Sequence, residues 1–162
     1  MASNSGLPTT TWKNLLTISY TGTASLTTAA SFRITLHNNT AFAAYDYDTV
    51  HGYSATNEVS GTGWAAAGEL LSTVAAGSTS VTPTLTTSPA GSIMYDHTND
   101  VSKATTTLTN ARCCEIYMDS VTAPTADPYI VVVNFGADYS TSAGTFGIQW
   151  AAAGVFALDM TP

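Results

Sequence analysis

Residues 129–135 read YIVVVNF, an almost unbroken run of β-branched and aromatic side chains. A run this short suits a strand better than a helix, and successive strand side chains point to opposite faces. Such a strand is expected to be buried on both faces. The rest of the C-terminal half offers partners. Residues 103–119, KATTTLTNARCCEIYMD, alternate through Leu108, Cys114, Ile116 and Met118, with a phase shift near Asn110. Residues 121–128, VTAPTADP, carry two prolines and Asp127 and read as a turn. GADYSTSAG (136–144) reads as a loop, and TFGIQW (145–150) alternates Phe146, Ile148 and Trp150. In AAAGVFALDM (151–160), Val155, Ala157 and Asp159 oppose Phe156, Leu158 and Met160, which describes a closing strand.

The N-terminal half is less regular. Residues 1–11 read as an arm, and 12–162 as a single β domain. Within TTWKNLLTISY (10–20), the spacing of Trp12, Leu15 and Leu16 suits a helical turn; alternation from Leu16 through Ile18 to Tyr20 suits a strand equally well. SFRITLHN (31–38) is a strand with Phe32, Ile34 and Leu36 on one face and Arg33, Thr35 and His37 on the other. Residues 40–56 are aromatic and acidic without periodicity and read as a long loop. The stretch 65–92 holds strand-like pieces broken by Gly77, Pro83 and Pro89, and 92–96 is a short strand. No long amphipathic helix appears. The pattern predicts an all-β fold: an antiparallel β-sandwich or a flattened, jelly-roll-like barrel with an N-terminal arm.

Charge narrows the function. Only 9% of the 162 residues are charged, the net charge is −7, and the four cations, Lys13, Arg33, Lys103 and Arg112, are scattered. Phosphate backbones and acidic membrane surfaces demand clustered Lys and Arg, so neither nucleic acid nor membrane is expected as a partner. No apolar run approaches the roughly 18 residues of a membrane span, and no basic region leads into an apolar one at the N-terminus. A surface rich in Thr and Ala is neutral, and it suits coverage by neighbouring subunits. The adjacent Cys113 and Cys114 point to opposite faces of one strand, which disfavours a mutual disulfide and predicts synthesis in a reducing cytoplasm.

The motifs argue for architecture over chemistry. NEVSGTGW (57–64) lacks the GK[ST] ending of a phosphate loop and the third glycine of a dinucleotide fingerprint. Its glycines suit a turn or bulge, with Trp64 anchoring the next strand. Asp46, Asp48 and His51, and separately Asp96, His97, Asn99 and Asp100, offer oxygen and nitrogen ligands for Ca²⁺, but without the regular acidic spacing of a cation loop. No nucleophile elbow marks a serine, so neither an enzyme nor a cofactor is expected. Trp12, Tyr45, Tyr47, His51 and Tyr53 are the candidate interface residues, because aromatic loops serve protein contacts or stack on sugars.

Several stretches resemble a family of tailed-bacteriophage virion proteins. They are FRITLHNNTA (32–41), NEVSGTGWAAAG (57–68), TTLTNARCCEIYMD (106–119) and the run from DPYIVVVNFG at 127 through GTFGIQWAAAG to Met160. EVSGTG and the closing GTFGIQWAAAG hairpin are the most specific; Asn134 and the cysteine pair depart from the family pattern. The resemblance implies a head decoration or cement protein, binding the major capsid protein on the capsid exterior and itself as a homotrimer. The alternatives are a tail tube, baseplate or fibre subunit, and a carbohydrate- or receptor-binding sandwich.

Overall fold

The computed structural model describes residues 5–17, 20–21, 25–48 and 52–161. Among these, helix α1 (Thr9–Leu16) is followed by β1 (Phe32–His37), α2 (Asn39–Ala43), β2 (Glu69–Leu70), β3 (Pro83–Thr86), β4 (Ser92–His97), β5 (Val101–Met118), β6 (Tyr129–Ile148) and β7 (Phe156–Asp159). The strands form two antiparallel sheets, ordered β2-β1-β5-β6 and β3-β4-β7. The sheets are not closed into a barrel, so of the two expected architectures the sandwich is the one observed.

The long pair β5–β6 is the spine. Its register runs from Val101↔Ile148 to Tyr117↔Tyr129 and is broken four times before Cys113. Three steps of β5 from Lys103 to Thr106 face two of β6, and the same holds from Leu108 to Ala111. The extra residues include Thr105 and Asn110, at φ 59° and 58°. On β6 the excess lies at Ala143 (φ 48°) and at Gly136 (φ 80°). A left-handed residue absorbs one extra position and increases the local twist, which is how a bulge keeps a long ribbon paired. The expected phase shift near Asn110 is one of these bulges. The expected loop at 136–144 is instead exposed strand: its Ser and Gly content fits a ribbon in solvent, where no apolar alternation is required.

Three further expectations change. Residues 40–56 open with helix α2, nucleated because the Asn38 side chain accepts from the amides of Thr40 and Ala41. The segment 10–20 resolves in favour of helix as far as Leu16; Ile18 lies outside the described residues. The closing hairpin is not a hairpin: β6 pairs with β5, whereas β7 pairs with β4 in the other sheet. The chain crosses between sheets through a turn in which the Gly154 amide donates to the Ala151 carbonyl (2.9 Å), with Gly154 at φ 82°. Part of the expected arm also has a place, since Gly6 exchanges backbone hydrogen bonds with Val132 on the free edge of β6 (3.0 and 2.9 Å).

The main core lies between the sheets and contains Phe32, Ile34, Leu36, Cys114, Ile116, Met118, Tyr95 and Trp64. Truncating a buried Trp or Phe costs about 3–5 kcal/mol. The half-buried Arg33–Asp119 pair (2.6 Å) contributes about 1 kcal/mol at most, so packing decides the fold.

The segment 57–64 is a turn. Gly61 and Trp64 exchange both backbone hydrogen bonds at 3.0 Å, Gly63 takes φ 76° at the third position, and Thr62 bridges to Thr107 of β5. This is the geometry of a type II turn, in which only that position needs a positive φ. A Cβ on Gly61 would meet the Thr107 carbonyl oxygen. Gly61→Val and Gly63→Val are each expected to destabilise the fold by about 2 kcal/mol or more. Gly144→Ala, whose Cβ meets nothing closer than 3.9 Å, should change stability by less than about 1 kcal/mol. Thermal melts of the three variants check this ranking.

Candidate functional site

The outer face of the larger sheet is also covered. β1 contributes His37 to it, β5 contributes Cys113, Glu115 and Tyr117, and β6 contributes Tyr129 and Val132. The chain after β1 folds back over this face: Phe42 of α2, Tyr45, Tyr47 and Tyr53 pack into a second apolar cluster with Cys113, Tyr117, Tyr129 and Val132. Tyr53 stacks on Tyr117 with ring centroids 5.1 Å apart, and Tyr45 lies 5.1 Å from Tyr47 and 6.1 Å from Tyr129.

Beneath this cover sits a polar group. Thr35 is paired with Glu115 and His37 with Cys113, so His37 and Glu115 are diagonal neighbours on one face. Their Nε2 and Oε2 atoms stand 3.4 Å apart, and each side chain is 2% exposed. Glu58 joins from the far side of β1, opposite His37. The Tyr129 hydroxyl donates to the Glu115 carboxyl and accepts from the Ser54 amide (3.2 Å). The Tyr53 hydroxyl donates to Glu58 Oε2 (2.7 Å). His37, Tyr45, Glu115 and Tyr129 border a cavity of about 260 Å³, whose rim is formed by Thr40, Ala44, Ser54, Thr56 and Asn57.

Burial sets the charge states. Desolvation raises Glu115 to about 7, opposed by the hydrogen bond from Tyr129 and reinforced by Glu58. Desolvation lowers His37 to about 4, against a backbone hydrogen bond at Thr56. The close approach of His37 and Glu115 is therefore not an ion pair at neutral pH: the imidazole is uncharged and the carboxyl is part-protonated. Burial likewise pushes the Tyr45, Tyr129 and Cys113 hydroxyl and thiol groups up, so all three stay protonated. A protonated buried thiol is a poor nucleophile. The arrangement can take up and release a proton at Glu115 and present hydrogen-bonding groups to the cavity.

The expected interface residues are placed as follows. Tyr45 is buried, Tyr47 and Tyr53 are half-buried, and all three pack within the chain. Trp12 lies on the other cluster, its Nε1 donating to the Ile130 carbonyl (2.8 Å) and its ring meeting Phe156 edge-on at 5.2 Å. His51 lies outside the described residues. Asp46 accepts from the Asp48 amide (3.0 Å), and the Asp48 carbonyl accepts from the Thr10 hydroxyl (2.8 Å). His97 is buried between the rings of Tyr95 and Trp150, while Asp100 accepts from the Trp150 amide (3.0 Å). Among the described residues, no three His, Cys, Asp or Glu side chains converge as a metal site. Both cysteines are free and buried on opposite faces, Cys114 in the main core and Cys113 in the outer cluster. The residues that sequence reasoning missed are Glu115, Glu58 and Tyr129. Their signal was a carboxylate inside the apolar run CCEIYM, which only a second covered face can bury.

Linkage gives a test. Glu115 is raised from 4.5, so its stabilising contribution is complete below that value and is lost as pH climbs towards 7. His37 and His97, both lowered from 6.5 to about 4, contribute above 6.5 and lose that contribution as pH falls towards 4. Glu115→Gln is expected to remove the alkaline-side loss. Between pH 5 and pH 8 the parent should lose up to about 3 kcal/mol relative to the variant, measured by urea unfolding at each pH. No family model, curated protein or solved structure matches this chain, so the motif resemblance rests on the residues that carry it.

Proposed function

We propose that this chain is a structural subunit of a tailed-phage virion, seated on the capsid exterior against the major capsid protein and assembling as a homotrimer. The observation that supports this reading is the placement of the two most specific motif stretches. EVSGTGW and GTFGIQW are separated by about eighty residues in the chain, yet they meet on β5. Thr62 bridges to Thr107, Gly144 pairs with Thr106, and the ring of Trp64 meets Phe146 edge-on at 5.6 Å. The motif residues thus shape a turn and a strand crossing, and their role is to hold a framework. A signature made of framework residues suits a protein whose product is a surface.

The surface fits the same role. The solvent-facing part of the β5–β6 ribbon carries Thr, Ser, Ala and Gly with little charge, which favours close lateral contact between copies. Many weak contacts repeated over a shell add up to firm attachment without a deep binding pocket. The net charge of −7 suits a position outside the shell, away from packaged DNA.

Quantitative mass spectrometry of purified particles, together with reconstruction of the shell, tests the reading. Hundreds of copies located on the capsid exterior are expected. A few dozen copies confined to the tail, or particles without the chain, would overturn it.

A further inference from the structure

Among the described residues, three cations are matched to acids, but the two acids beside His37 are not. Arg33 meets Asp119 at 2.6 Å, Lys103 meets Glu69 at 3.0 Å, and Arg112 meets Asp138 at 3.5 Å. That assigns an acid to three of the four cations, and the fourth, Lys13, is on the exposed side of α1. Glu115 and Glu58 flank His37, and neither has a Lys or Arg partner among the described residues. Both keep a buried carboxylate oxygen, Glu115 Oε2 and Glu58 Oε1, without a hydrogen-bond donor. A buried carboxylate oxygen left this way is costly, and Glu115 Oε2 borders a cavity from which a donor could reach it.

We propose that the cavity bordered by Glu115, His37, Tyr45 and Tyr129 binds a primary ammonium or guanidinium group from outside the chain. The groups lining it match that chemistry from two directions. The Glu115 carboxylate supplies the opposite charge in a water-poor setting, where a charge-assisted hydrogen bond is about twice as strong as a neutral one. Tyr45 and Tyr129 supply aromatic rings 6.1 Å apart, and ring faces attract cations once water is excluded. A volume of about 260 Å³ accommodates the head and several methylenes of a linear alkyl cation but not a folded peptide. Among the described residues the rim is uncharged, built from Thr40, Ala44, Ser54, Thr56 and Asn57, with no basic side chain to repel an incoming cation. Cation binding here is independent of the particle role.

Entry of the cation is coupled to a proton. Below about pH 7 Glu115 carries a proton, which must leave to solvent as the ammonium takes its place. Among the described residues, the titratable groups facing it are His37 from β1, Cys113 from β5, Tyr129 from β6, Tyr45 and Tyr47 from the chain after α2, and Glu58. The imidazole, thiol and hydroxyls stay neutral from pH 5 to pH 8 for the most part, so Glu115 carries the pH dependence.

The test is an NMR titration of the full chain with n-butylammonium and, as its neutral counterpart, n-butanol. Saturable shifts of the His37 and Tyr129 resonances by the ammonium are expected at pH 8, with binding at least about tenfold weaker at pH 5. Glu115→Gln should weaken binding at pH 8 by a similar factor; the pH comparison on the parent protein keeps the test decisive if that variant folds poorly. Equal binding of n-butanol, equal ammonium binding at the two pH values, or no saturable shift at either pH would overturn the proposal. Two further ligands then distinguish sources within the same chemistry. Tighter binding of Nα-acetyl-lysine methylamide assigns the site to a partner protein's side chain, and tighter binding of 1,4-diaminobutane assigns it to a free amine.

Discussion

Eighteen residues of β5 lie along twenty of β6, and nearly every other feature of the molecule is arranged around that pairing. Towards its turn the ribbon is apolar on both faces, so it cannot sit at the surface of a single-layered sheet. The smaller sheet covers one face through Tyr95 and Phe156. The other face is covered by the chain's own segment after β1, which brings Phe42, Tyr45 and Tyr53 onto Cys113, Tyr117 and Tyr129. Towards the opposite end one face stays in the main core through Leu108, Ala111 and Phe146 while most of β6 from Gly136 to Ala143 is polar and exposed, and bulges at Thr105, Asn110, Gly136 and Ala143 let the ribbon twist without losing its partner.

The outer cover has a consequence for charge. A strand face packed under aromatic rings offers no water to a carboxylate, yet β5 places Glu115 there and β1 places His37 against it. Burial disfavours both charged forms, which is why the acid is raised and the base lowered although the two lie within 3.4 Å. The attraction between opposite charges loses to desolvation. What remains is a neutral, hydrogen-bonding cluster beside a small cavity, held together by packing.

Much of this architecture is legible in the sequence. The alternation of Phe32, Ile34 and Leu36, the YIVVVNF run and the shift near Asn110 mark the β strands and one bulge directly. The glycines of EVSGTGW mark a turn. Local pattern failed where the strand is solvated: GADYSTSAG has no apolar period because none of its own residues is buried, the buried face there coming from Leu108 and Ala111 of β5, so nothing in it distinguishes strand from loop. It failed again at the closing hairpin, because sequence adjacency does not say which sheet a strand joins. The candidate site was hidden for a related reason. Tyr45, Tyr47 and Tyr53 look like outward-facing aromatics when the 40–56 segment is read alone. They turn inward because the second face of β5 and β6 needs a cover, a requirement set by residues more than fifty positions away.

The central claim is that the apolar half of β5–β6, clamped between two covers, is the last part of the molecule to open. Native-state hydrogen exchange measures this directly. Amides of Cys114, Ile116, Met118 and Val131 are expected to exchange only through global unfolding, with free energies equal to the whole-molecule value, while those of β3 and β7 open at lower cost. Exchange of the β5–β6 amides through local opening, with the β3-β4-β7 sheet still protected, would contradict the account.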